Sequence, residues 1–174
     1  MSKAFTKDEA WEDPIIPPRA PVPAGVPNYV TPRGLGLLRA ELTELEAERH
    51  RLEADRSDEV EYRHRLAIVT GRTSDLAARI ASAVLVDPKG QPRDQVRFGA
   101  SVTLRTVSGE RSGEERRLEI VGIDEADAAH GRVAFTAPIA RAILGREVGE
   151  TAALVTPRGR DLLEVVSIEY NSAP

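Results

Sequence analysis

From position 31 the chain carries two successive apolar stripes at helical spacing. Leu35, Leu38, Leu42, Leu45 and Leu52 recur at intervals of three, four, three and seven, while Glu41, Glu44, Glu46, Glu48, Arg39, Arg49 and Arg51 fall on the other faces. A second stripe runs through Leu66, Val69, Thr73, Leu76, Ile80 and Ala83, again in threes and fours. Two narrow stripes in succession predict an antiparallel helical hairpin in which each arm buries the other's seam. Thr31 followed by Pro32 supplies a start, a capping hydroxyl before a proline at the first helical position.

The arms share a base and so should be of similar length, which puts the turn between Asp58 and Glu59, inside Asp55-Arg56-Ser57-Asp58-Glu59. The rival turn, Thr70 to Ser74 around Gly71, holds real breakers but leaves very unequal arms. With the acidic turn, Gly71 lies within the second helix at a cost of about 1 kcal/mol relative to alanine. Arms of about 24 residues would make a prong roughly 36 Å long.

The pattern changes on either side. Residues 1–30 hold Pro14, Pro17, Pro18, Pro21, Pro23 and Pro27 and read as an extended, mostly disordered tail, with Phe5 and Trp11 as its candidate anchors. Residues 87–95, with Pro88, Gly90 and Pro92, read as a linker. Beyond it, Val96–Leu104 and Arg117–Val121 alternate like strands, and Val133–Phe135 is a shorter one. Pro138 opens a helix through Ile139, Ala142 and Ile143 that Gly145 stops. Ala152–Val155 and Leu162–Ile168 complete a small α+β domain spanning 96–170. The fold class is thus α+β, a helical hairpin at 31–86 followed by a small mixed domain.

Composition narrows the chemistry. With 174 residues, 41% hydrophobic and 30% charged, the chain reads as globular. No apolar run approaches the roughly 18 residues of a membrane span. The opening MSKAFTKDEAWED lacks the apolar core of a secretory signal. The absence of cysteine rules out disulfides and thiolate metal sites and fits a cytoplasmic location. A net charge of −4 argues against tight, non-specific nucleic-acid binding, and seven aromatic residues are too few for a base-stacking platform. Asp124-Glu125-Ala126-Asp127 suggests a helicase box, but no GxxxxGK[ST] loop accompanies it. His50, His64 and His130 have no metal-binding spacing, and no GxSxG is present.

Four ordered blocks carry a resemblance: Val96-Arg97-Phe98-Gly99-Ala100, Ile120 through Asp127, Ala137 through Gly145, and Thr156-Pro157-Arg158-Gly159. Together with the hairpin entry Asn28 to Gly34 they make the chain similar to the bacterial Gre family, GreA and GreB, from Asn28 to Tyr170. The proline-rich tail lies outside that pattern. The resemblance implies an FKBP-like C-terminal domain and a non-enzymatic elongation factor, a monomer whose partner is bacterial RNA polymerase. It would touch nucleic acid and DNA only through the elongation complex. It also implies that hairpin-tip carboxylates help hold a Mg²⁺ ion shared with the polymerase active site, reached through the secondary channel, and stimulate cleavage of backtracked RNA. On this chain those are Asp55 and Asp58 as metal-assisting groups, with Glu59 beside them. Asp124, Glu125, Asp127 and Pro138 are the expected docking residues.

The family tip reads roughly Gly-Asp-x-Ser-Glu-Asn-Ala-Glu-Tyr, against Ala54 through Tyr62 here. Asp58 stands where the family has glutamate, Glu59 where it has asparagine, and the hairpin is shorter by something like one heptad per arm, about 10 Å. Two other readings follow. One is a Gre-like regulator that occupies the channel without stimulating cleavage, and the other is a structural adaptor whose hairpin pairs with another coiled coil. The C-terminal domain offers only Phe98, Phe135 and Tyr170, too few aromatic residues to line a prolyl-isomerase pocket.

Overall fold

A computed structural model describes residues 19–55, 57–109, 111–157 and 159–170. Phe5, Trp11, Arg56 and Arg158 lie outside them.

The hairpin forms as the stripes require. Helix α1 spans Pro32–Ala54 and α2 spans Glu59–Ala81. Thr31 Oγ1 accepts the Gly34 N–H at 2.9 Å and starts α1. The turn falls at the acidic segment, and Gly71 is interior to α2. Its cost of about 1 kcal/mol is small beside the roughly 1.5–3 kcal/mol gained by burying each large apolar side chain of the seam. Leu38, Leu45 and Leu76 pack with Val30 as one cluster, flanked by Leu35, Leu42 and Ile80. Leu52 and Val69 are buried as well. Ala83, the last position of the expected second stripe, lies past the helix in a strand.

That strand belongs to a small base. β1 (Asn28–Val30) pairs in parallel with β2 (Ala83–Leu85), so the chain entering α1 is stitched to the chain leaving α2. The Asn28 side chain donates to Arg79 O at 2.9 Å and to Ser82 Oγ at 3.1 Å, closing the end of α2. The expectation of a disordered tail up to residue 30 does not hold for residues 19–30. Pro23 to Val26 form a turn with Gly25 at φ +76°, a left-handed position that glycine occupies freely. Val26 packs on the core of the C-terminal domain.

The C-terminal domain is a five-stranded mixed sheet in the order β5-β4-β3-β7-β6. Its strands are β3 (Ser101–Ser108), β4 (Glu115–Val121), β5 (Arg132–Ala134), β6 (Thr151–Thr156) and β7 (Gly159–Glu169). β4 and β5 are parallel and the other pairs antiparallel. Helix α3 (Pro138–Ile143) ends before Gly145, which turns the chain at φ +81°. Val102, Leu104, Ile120, Ile143, Leu163 and Val165 are fully buried between sheet and helix.

Residues 96–100 depart from the expected strand. Val96, Phe98 and Ala100 are buried, as is Gly99 between the last two, and the ladder begins only at Ser101. Gly99 sits at φ +84°, where a Cβ would lie 2.7 Å from Pro88 Cγ. The segment is folded over Pro88, and its period of two comes from a turn pressed into the core.

Candidate functional site

Two regions hold the expected functional residues, one at each end of the hairpin. At the tip, Asp55 ends α1 and its Oδ1 accepts the Ser57 N–H at 3.1 Å. The Ser57 hydrogen bonds hold the Asp55 carboxyl below the usual carboxylate range. Asp58 caps α2, its Oδ1 accepting the N–H groups of Val60 and Glu61 at 3.0 Å each. The Ser57 N–H bond to Asp55 and both N–H bonds to Asp58 fall on Oδ1. Glu59 differs: its side chain is tied back along α2 by Arg63 at 2.7 Å. Arg65 lies 3.5 Å from Glu48 and 4.0 Å from Glu61. Beneath the turn is a cleft of about 310 Å³ whose lining includes Glu48, Asp55, Asp58, Glu61, Tyr62 and Arg65.

Among the described residues, no group of three or more acidic or histidine side chains converges to hold an ion unaided. Two carboxylates on one turn match the hard-oxygen donors that Mg²⁺ takes one or two at a time, completed by phosphate oxygens and water. The tip therefore fits part of such a site.

At the base, the residues expected to dock a partner divide. Asp124 and Glu125, in a 3-10 turn after β4, face inward. The Glu125 side chain is only 1% exposed. It accepts Thr31 Oγ1–H at 2.6 Å and Arg33 Nε–H at 2.6 Å, and Arg33 also reaches Glu119 at 2.8 Å. The approach is close: a Cβ on Gly34 would stand 2.6 Å from Glu125 Oε2, and one on Gly122 would stand 2.7 Å from Tyr29 O. Asp124 pairs with Arg19 at 3.0 Å and Arg79 at 3.3 Å. These two acids join the hairpin to the C-terminal domain, so their carboxylates are engaged within the chain.

Asp127 and Pro138 remain outside that joint. Asp127 accepts from His130 Nδ1 at 2.6 Å and Arg132 at 2.9 Å. The His130 bond, with Arg132 behind it, keeps its carboxyl below the ordinary range. Pro138 is exposed at the first position of α3.

Sequence reasoning passed over the other half of the joint: Arg19, Tyr29, Thr31 as a donor, Arg33 and Arg79. Tyr29 completes a ring cluster with Phe98 and Phe135, its ring centroid 5.6 Å from each, in tilted and edge-on geometry. The available signal was Thr31-Pro32-Arg33, which puts a hydroxyl and a guanidinium on the first turn of α1.

The family profile described as "Transcription elongation factor, GreA/GreB, C-term" matches residues 91–170. The chain is 36% identical over 157 residues to transcription elongation factor GreB of Neisseria meningitidis serogroup A, covering 82% of this chain and 94% of that protein. It is 37% identical over 158 residues to GreA of Francisella philomiragia, covering 81% and 95%. It also aligns with the crystal structure of GreA factor homolog 1 of Thermus thermophilus at 21% identity and a TM-score of 0.37, covering 81% and 97%. With more than a third of aligned positions identical to GreB and GreA across four-fifths of its length, the chain belongs to the GreA/GreB family of transcription elongation factors.

Proposed function

We propose that the protein binds bacterial RNA polymerase, enters its secondary channel with the hairpin, and stimulates cleavage of backtracked RNA without being a catalyst itself. The observation that carries this reading is the state of Asp55 and Asp58. Both sit at the far end of a stiff prong, in a turn whose backbone N–H bonds to them fall on Oδ1. At 23 residues per arm the prong is about 34 Å long. A shared Mg²⁺, when bound, would activate water and neutralise charge developing on the phosphodiester. The chain's own part is to hold two carboxyl groups at a fixed distance from its base. Of the four expected docking residues, Asp127 and Pro138 are the ones whose position suits a contact with polymerase.

The test is cleavage of labelled RNA in stalled, backtracked complexes, with Asp55→Asn and Asp58→Asn variants. Asparagine caps a helix about as well as aspartate, so Asp58→Asn removes the charge and keeps the turn. Shortened RNA with the natural protein, and at least a tenfold slower rate with either variant at unchanged polymerase affinity, is expected. Equal rates would overturn the reading. A second reading, a regulator that occupies the channel without cleavage, is favoured by the Glu59–Arg63 pair and by the shorter reach of Asp58. It predicts polymerase binding with no shortening of RNA by any form of the protein.

A further inference from the structure

Five charged groups from four parts of the chain form a ring beside the base of the hairpin, four ion pairs closed through the backbone of α2. Arg72 of α2 lies 3.9 Å from Glu41 of α1, and Glu41 lies 2.6 Å from Arg19 in the segment before the hairpin. Arg19 lies 3.0 Å from Asp124 of the C-terminal domain, and Asp124 lies 3.3 Å from Arg79, back on α2. Arg79 and Asp124 are nearly buried, at 9% and 8% side-chain exposure. Arg79 also donates to the carbonyl of Ala20. Arg19 is the link that closes the ring: it bonds Glu41 through Nη2 and Asp124 through Nη1, a two-ended use that suits a planar guanidinium.

We infer that Arg19 is a positioning residue: the segment before the hairpin braces it against the C-terminal domain, and this sets the direction of the tip. The contacts of Glu125 all fall within Thr31–Gly34, at the very start of α1. A contact there acts as a pivot, fixing where the helix begins but only weakly where it points. With thermal play of about 0.5 Å on a lever of about 4 Å, a prong of about 34 Å swings its tip by about 4 Å. Glu41 lies nine residues beyond Pro32, or about 13 Å along the axis, and the same play there moves the tip by only about 1.3 Å. Arg19 holds the hairpin at that outer point, and Arg79 ties the second arm to the same carboxylate. The network also differs from an isolated surface pair: its links support one another, and Asp124 is shielded from solvent.

The functional consequence rests on the proposed action at polymerase, whereas the brace itself does not. The chain has no cysteine, so the exposed Val60 near the tip and Val155 on β6 can be changed to cysteine and spin-labelled. Pulsed dipolar spectroscopy then reads the tip-to-domain distance distribution. Arg19→Ala and, from the other side of the same bond, Glu41→Gln are each expected to widen that distribution at least twofold, with circular dichroism unchanged. Glu46→Ala, exposed on α1, should leave it as it was. If Arg19→Ala does not fold, Glu41→Gln carries the measurement alone. A distribution unchanged in the folded variants would overturn the inference.

In polymerase titrations the concentration for half-saturation should rise. If the aligned orientation falls to a tenth of the population, apparent affinity weakens about tenfold, while the effect at saturation is retained. A loss at saturation with unchanged half-saturation would overturn the positioning role. Should the natural protein stimulate no cleavage, the proposed function fails, and the distance and binding measurements still decide the brace.

Discussion

Replacing Glu125 by alanine tests whether the joint is built as described. The side chain is 1% exposed and receives two hydrogen bonds, one from a hydroxyl and one from a guanidinium. Hydrogen bonds to charged groups contribute about 1.5–3 kcal/mol each, and removing one partner of a buried ion pair costs about 3–5 kcal/mol when the other is stranded. Here Arg33 is not stranded, because Glu119 holds it at 2.8 Å and a quarter of its side chain meets solvent. Thr31 likewise keeps its cap to Gly34. The expected loss therefore falls below the stranded-charge range, at about 2–3 kcal/mol.

Urea unfolding measures the total, and a double-mutant cycle with Arg33→Ala isolates the pair, with an expected coupling of about 1–2 kcal/mol. Amide exchange should quicken at Gly34 and Leu35, whose N–H groups bond Thr31 Oγ1 and Thr31 O, and remain unchanged in β3 and β7. A loss under about 0.5 kcal/mol, equal to that of an exposed change such as Glu46→Ala, would refute the buried joint. So would a coupling near zero.

Three further outcomes are expected. Among the described residues Thr73 Oγ1 is buried in α2 without a hydrogen-bond partner, so Thr73→Val, which keeps the branched shape and removes the hydroxyl, should stabilise the protein by about 1 kcal/mol in thermal or urea unfolding; destabilisation would show that the hydroxyl has a partner. Leu76 is fully buried in the seam, and Leu76→Ala should cost about 3 kcal/mol, with amide exchange quickened along α1 and α2 and not in the five-stranded sheet. At the tip, the depressed Asp55 carboxyl means that its turn-stabilising bonds are fully present above the ordinary aspartate value and are lost as pH falls through its own lower one; carboxyl-carbon NMR titration should place Asp55 below the ordinary aspartate value and show Ser57→Ala moving it upward, and an unmoved titration would remove the Ser57 hydroxyl as a cause, leaving its backbone N–H.

What was legible in the sequence, and what was not, divides by the range of the interaction. The hairpin could be read because a seam repeats: Leu38, Leu45 and Leu52 obey a period set by the helix itself, and the need for equal arms selected the acidic turn over Gly71. The tip residues Asp55 and Asp58 followed from that turn. The joint could not be read so, because Arg19, Thr31, Arg33, Arg79, Asp124 and Glu125 come from four separated stretches and no local period links an arginine to a carboxylate about ninety residues away. Asp124 and Glu125 looked like a solvated loop, since acids are rarely buried unless paired, and their partners lie elsewhere in the chain. Val96–Ala100 failed for the opposite reason. Val96, Phe98 and Ala100 do turn inward, but a left-handed glycine folded over Pro88 puts them there, and that glycine is itself buried as it would not be in a strand.

The two kinds of contact in this molecule do different work, and the proposed function needs both. The seam is apolar: burial there is strong and non-directional, so it keeps two helices together along about 34 Å without saying where the pair should point. The joint adds to the Tyr29 ring cluster a set of short, charge-assisted hydrogen bonds, which demand particular angles. A buried ion pair adds little net stability once desolvation is counted, although breaking it from one side is costly. Its return is therefore geometric. An apolar joint of equal stability would let the prong swing, and a swing of a few ångströms at the tip is as large as the whole span of a metal–carboxylate contact. That reasoning accounts for acids being placed inward at residues 124 and 125, where an open loop would have left them facing solvent. It also separates the observables. Changes in the seam should show mainly in stability and exchange, whereas changes in the Arg19 ring should show in the tip's distance distribution while the fold persists.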